Sequence, residues 1–155
     1  TKGISSSSTA ERSSNVKRYG SWSEQIKLVD NPNTSANWSV RFLSGGGNPN
    51  NNSKMSKPGG LVGFWIYVAG SGVSAAVGVD DSDGTERSTA KSIPANQWTY
   101  VEWWLDDSSQ WNPWVGGNGI ITSAEVTIDA LWFYRAQTSY TVYVYIDNVQ
   151  YRFEG

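Results

Sequence analysis

Gly63-Phe64-Trp65-Ile66-Tyr67-Val68 is the stretch that decides the fold class. Phe64, Ile66 and Val68 alternate with Trp65 and Tyr67, the period of two that belongs to an extended strand with one buried face. The pattern recurs where Leu131 and Phe133 interleave with Trp132 and Tyr134, and again where Val142, Val144 and Ile146 interleave with Tyr143 and Tyr145. Aliphatic side chains go to the core in each case, so the large rings are expected on the outer faces. Working outward from these segments, strands are expected at residues 25–29, 37–43, 60–69, 73–80, 87–93, 99–106, 126–135 and 141–153, and a helical period appears nowhere. Clusters of Gly, Asn, Ser, Asp and Pro separate them, with hairpin signals at Ala69-Gly70-Ser71-Gly72 and Ser82-Asp83-Gly84. This predicts an all-β fold, a two-sheet antiparallel β-sandwich with jelly-roll wiring.

Composition narrows the chemistry. A chain of 155 residues makes one domain that buries about two thirds of its unfolded surface without covalent staples. Residues 1–15, with Ser5 to Ser8 in a row and Ser13 and Ser14 following, read as a linker or N-terminal extension, and residues 16–155 as the single domain. With no cysteine there is no disulfide, thiol catalysis or zinc–thiolate site; with no histidine the commonest general base is missing. Twelve basic and fourteen acidic residues, well mixed and summing to −2, give no footprint for nucleic acid. No apolar run is long enough for a membrane helix, and the opening is too polar for a signal peptide, so a mature or excised domain is expected.

Several segments, taken in order, carry a resemblance: Gln25-Ile26-Lys27-Leu28, the 63–68 strand, Asp80-Asp81-Ser82-Asp83-Gly84-Thr85-Glu86, Gln97-Trp98, and Tyr145-Ile146-Asp147-Asn148-Val149. Over residues 17–153 the chain resembles the non-catalytic carbohydrate-binding modules of β-jelly-roll fold that ride on secreted bacterial polysaccharide-degrading enzymes. The resemblance implies a polysaccharide partner, neutral or acidic and of plant, algal or bacterial origin, with an appended catalytic domain, an extracellular location and a monomeric state. It also implies a structural calcium ion far from the sugar site, with Asp147 as a ligand.

Nine tryptophans and eight tyrosines exceed what a core needs, and flat rings on a β surface suit sugar faces. The strands at 37–43, 73–80, 87–93 and 126–135 are expected in one sheet presenting Ser39, Arg41, Ala76, Gly78, Trp132 and Tyr134, with the small residues of 73–80 leaving a ligand trough. Trp132 and Tyr134 would stack on sugar and Arg41 would bind hydroxyls or a uronate carboxylate, so Trp132→Ala should cost retention and little stability. The opposite sheet would present Trp65, Tyr67, Glu102, Trp104, Tyr143 and Tyr145, of which Trp65, Tyr67 and Trp104 are further stacking candidates; some of these rings would instead lie under loops or the N-terminal segment. Trp111 and Trp114, around Pro113 in a loop spanning 106–119, would form a rim gripping a chain, with at least one of them plugging the end of the sandwich. Trp38 and Trp98 are expected in the core.

Other readings stay open. Asp80 to Gly84 lacks the twelve-residue calcium-loop frame and reads as a turn with left-handed Asp83 and Gly84. Glu102 is the candidate for a glycoside hydrolase or lyase, but retaining hydrolysis needs two carboxyl groups about 5–5.5 Å apart. Glu125 at a strand start and Asp129 in the inward register offer no obvious partner. A protein-binding adhesive sandwich would use the same aromatics as hot spots. The Asn-rich loop 45–52 is neutral between these readings.

Overall fold

The computed structural model describes residues 1–42, 48 and 51–154. Its strands are β1 (Thr9–Ser13), β2 (Ser23–Leu28), β3 (Trp38–Phe42), β4 (Lys54–Ser56), β5 (Gly60–Ala69), β6 (Ser74–Asp81), β7 (Gly84–Ser88), β8 (Lys91–Ser92), β9 (Thr99–Trp104), β10 (Trp111–Pro113), β11 (Glu125–Arg135) and β12 (Val142–Phe153). One antiparallel sheet has the order β1-β2-β12-β5-β9; the other runs β10-β7-β6-β11-β3, with β4 paired to β11 and β8 to β6. Successive long strands cross between the sheets, as jelly-roll wiring requires. Phe64, Ile66 and Val68 from one sheet meet Val77, Val79, Leu131 and Phe133 from the other in a single core, all nearly inaccessible to solvent. Period-two alternation therefore sorts inside from outside as read from the sequence.

Several expectations change. Within the serine-rich stretch, Thr9–Ser13 pairs along its whole length with β2 and forms the sheet edge, so this part belongs to the sandwich. Ser and Thr tolerate an exposed edge that composition alone labels as linker. The Ala69-Gly70-Ser71-Gly72 turn does not close a hairpin; it carries the chain from β5 in one sheet to β6 in the other. The β6–β7 hairpin does form, closed by the Asp81–Gly84 pair around Ser82 and Asp83, and positive φ falls on Gly84 and not on Asp83. Trp38 is core as expected, its indole N–H donating to Asp30 Oδ1 at 2.8 Å. Trp98 is not core: it is half-buried on the outer face of the five-stranded sheet, packed on Tyr67 with ring centroids 5.7 Å apart. Leu43 and most of the 45–52 loop lie outside the described residues.

After β10 the chain folds back along β7, with Thr85 N–H donating to Val115 O and Trp114 N–H to Thr85 O. A β-carbon on Gly84, whose φ is +149°, would stand 2.5 Å from Val115 O and from the carbonyl carbon of Gly116, so glycine is what permits the close approach. Glu86, 0% exposed, completes the attachment: Oε1 accepts the Asn118 N–H and Oε2 the Gly119 N–H, both at 2.8 Å. Glu86→Ala leaves those two amides without partners. The variant is expected to lose about 2–3 kcal/mol, a fall of roughly 5–10 °C in Tm, with faster hydrogen exchange at Asn118 and Gly119.

Candidate functional site

The outer face of the β10-β7-β6-β11-β3 sheet gathers the site. Trp132 and Tyr134 stand two residues apart on β11, both outward, with rings parallel to within 4° and centroids 6.3 Å apart. Arg87 follows the buried Glu86 on β7 and so faces the opposite way, onto this face. Its guanidinium carbon lies 3.8 Å from the Trp114 ring centroid, 5.2 Å from that of Trp132 and 5.4 Å from that of Tyr134. Trp114, delivered by the segment fastened through Glu86, meets Trp132 edge-on at 5.4 Å. The result is a cluster of three rings around one cation.

The trough expected over β6 exists, but the protein fills it. Ala76 and Gly78 are buried beneath Trp132, whose Nε1 would lie 3.4 Å from a β-carbon placed on Gly78. Trp132 faces outward from the main core, yet it is only 4% exposed because Arg87 and Trp114 cover it. Its buried Nε1 has no hydrogen-bond partner among the described residues. The buried Tyr134 hydroxyl lacks a partner of good geometry, and burial holds its pKa above the ordinary phenol value against the opposing pull of the Arg87 charge. Tyr134, Arg87 and the 40%-exposed Trp114 open onto a groove of about 460 Å³ whose far wall includes Lys2, Ser39 and Arg135.

The other residues anticipated from sequence fall in different places. Arg41 is on this face but is paired with Asp129 Oδ1 at 2.7 Å. Asp129 was expected to face inward; a bulge between Ile128 and Ala130 shifts the register and sets it beside Arg41 above Gly78. Trp111 is the plug: it is 4% exposed, in the main core, with Nε1 donating to Trp104 O at 2.8 Å, and offers no free face. Trp65 and Tyr67 lie on the opposite sheet and are half-buried among other rings. Trp65 contacts Tyr100 and Tyr19, with the Arg18 guanidinium 4.4 Å from its centroid, and Tyr67 sits between Trp98 and Tyr145. Trp104 is half-buried on that same sheet. Arg87 and Lys2 were not singled out as site residues from sequence; the inward burial of Glu86 was the missing signal for the first, and the Lys2–Ser39 bridge for the second.

Asp147 anchors a segment of the N-terminal region. Its Oδ2 accepts the N–H groups of both Arg18 and Tyr19 at 2.9 Å, which holds this segment against Trp65. One Asp147 oxygen is thus committed to two amides, and among the described residues Asp147 does not belong to a grouping of three acidic side chains. The grouping of Asp81, Asp83 and Glu86 lies elsewhere, and the oxygens of Asp81 and Glu86 also serve as amide acceptors. Burial raises the Asp81 pKa, but the Thr122, Ser123 and Ser82 amides outweigh it and hold the carboxyl below its usual value. Glu102 is held low chiefly by hydrogen bonds from Arg152, at 2.8 and 2.5 Å. Arg152 also bonds Glu154.

No family model matches the chain, and no protein of curated function matches its sequence. Among solved structures it is similar to one from work on the promiscuous specificity of carbohydrate-binding modules of the β-sandwich superfamily, at 7% identity and a TM-score of 0.56. That match covers 94% of this chain and 53% of the other, so the chain spans about half the length of its match. A second is the structure of TmCBM61 in complex with β-1,4-galactotriose, at 14% identity and a TM-score of 0.43, covering 98% of this chain and 92% of that one. The fold is thus the β-sandwich found in carbohydrate-binding modules.

The burial of Trp132 reverses one expectation from sequence. Trp132→Ala is now expected to cost about 3–5 kcal/mol through the cavity left over Ala76 and Gly78, readable as a large drop in Tm. An unchanged Tm would place the ring in solvent.

Proposed function

We propose that this domain is a non-catalytic polysaccharide-binding module of a secreted glycan-degrading enzyme, holding an appended catalytic domain near its substrate. The observation that carries the reading is the groove itself: Tyr134 and Trp114 flank an open channel on the outer face of a sheet, with Lys2, Arg87 and Arg135 lining it as donors. Each ring stacked on a pyranose removes some tens of Å² of apolar surface from water, about 1 kcal/mol apiece, and polar contacts to hydroxyls add direction. Two rings and a few hydrogen bonds correspond to a Kd of roughly micromolar to millimolar, enough for a tethered module that works by proximity.

Trp132 supports the platform from below. The opposite face, where Trp65, Tyr67 and Trp104 stand, has its rings packed on one another and under residues 18 and 19, which favours the first face. A hydrolytic reading through Glu102 is disfavoured by Arg152. A carboxyl group kept ionised by two guanidinium hydrogen bonds is a poor proton donor and a weakened nucleophile.

Affinity gel electrophoresis against neutral and acidic polysaccharides, with reducing ends assayed in the same samples, tests the proposal. The chain is expected to be retarded on one polymer class with no new reducing ends, and Trp114→Ala, at a partly exposed position, is expected to lose about tenfold or more in affinity with a smaller fall in Tm than Trp132→Ala. Free migration in every gel contradicts the reading, and release of reducing ends would bring Glu102 forward.

A further inference from the structure

Among the described residues, the charged side chains lining the groove are Lys2, Arg87 and Arg135, and no carboxyl group lines it. The chain carries a net charge of −2, so three cations around one channel do not follow from a basic composition. Among those same residues none of the three is ion-paired, whereas Arg41 and Arg152 each hold a carboxylate. Arg135 spends part of its guanidinium on Ser71 O and Ala136 O, which fixes it at the wall. Arg87 is held differently: ring faces of Trp114, Trp132 and Tyr134 surround it without removing its charge. A planar guanidinium held on aromatic faces, with part of its edge toward the Tyr134 hydroxyl, keeps further N–H groups for an acceptor outside, and that geometry matches the two oxygens of a carboxylate or sulfate.

We propose that the groove takes an acidic saccharide, the oxyanion of a uronate or sulfate ester seated on Arg87 with Lys2 at the rim and the sugar ring against Tyr134 and Trp114. The inference deepens the polysaccharide-binding reading and rests on it. Aromatic faces alone accept neutral sugars equally well; the unpaired cations supply the discrimination, because a neutral chain would leave them desolvated without compensation.

The test uses matched polymers at about 50 mM NaCl, where surface charges are little screened: polygalacturonate with its fully methyl-esterified counterpart, and a sulfated galactan with its desulfated counterpart. The chain is expected to be retarded by at least one acidic polymer and not by that polymer's neutral partner, and which acid binds separates carboxylate from sulfate. Arg87→Gln is expected to weaken binding about tenfold or more, Lys2→Gln about two- to fivefold, and 500 mM NaCl to weaken the parent strongly. Lys2 is exposed at the rim, so its variant reports binding even where Arg87→Gln disturbs the ring cluster. Equal retardation by neutral partners overturns the acidic preference and leaves polysaccharide binding standing; no retardation by any polymer overturns both. Unchanged binding by both variants removes the ligand from this groove.

Discussion

Glu86 is the constraint on which the site depends. A strand turns consecutive side chains to opposite sides, so burying Glu86 under the segment at 114–119 obliges Arg87 to stand on the outer face. The same two hydrogen bonds that satisfy the Glu86 carboxyl fasten the segment, and the segment brings Trp114 over Arg87 at 3.8 Å. One buried acid thereby sets both halves of a cation–aromatic cluster. Gly84 permits this, since any side chain there would strike the backbone it is meant to receive.

The cluster also explains why aromatic residues on the two faces do different work. On the five-stranded sheet, Trp65 and Tyr67 are enclosed by neighbouring rings and by the segment that Asp147 clamps. On the other sheet, Trp132 gives up its own exposure to fill the shallow strip over Ala76 and Gly78, and the groove opens beside it at Tyr134 and Trp114. Small residues on β6 thus seat a supporting ring, which in turn positions Arg87.

Much of the fold was legible because alternation of aliphatic and aromatic residues is strong in β5, β11 and β12, and buried faces leave that signature in sequence. Thr9–Ser13 escaped because an edge strand of exposed polar residues has no such contrast. One bulge escaped as well: one extra residue turns Asp129 outward, and that is not visible in a period of two. The site was half legible. Tyr134 and Trp114 were anticipated, and Trp111 proved to be the plug of its pair, but the cover over Trp132 comes from residues far away in the chain. Arg87 looked like an ordinary surface charge because nothing in a linear reading shows that its neighbour's carboxyl is buried.

The most direct test of the account is the set of nine tryptophan indole N–H signals in a two-dimensional NMR spectrum, followed while an oligosaccharide of the retained polymer is added. Trp114 and Trp132 should move, Trp132 most informatively because its indole N–H has no partner among the described residues, while Trp65 and Trp98 on the opposite face stay in place. Movement confined to Trp65 and Trp98 would put the ligand on the other sheet and contradict the account.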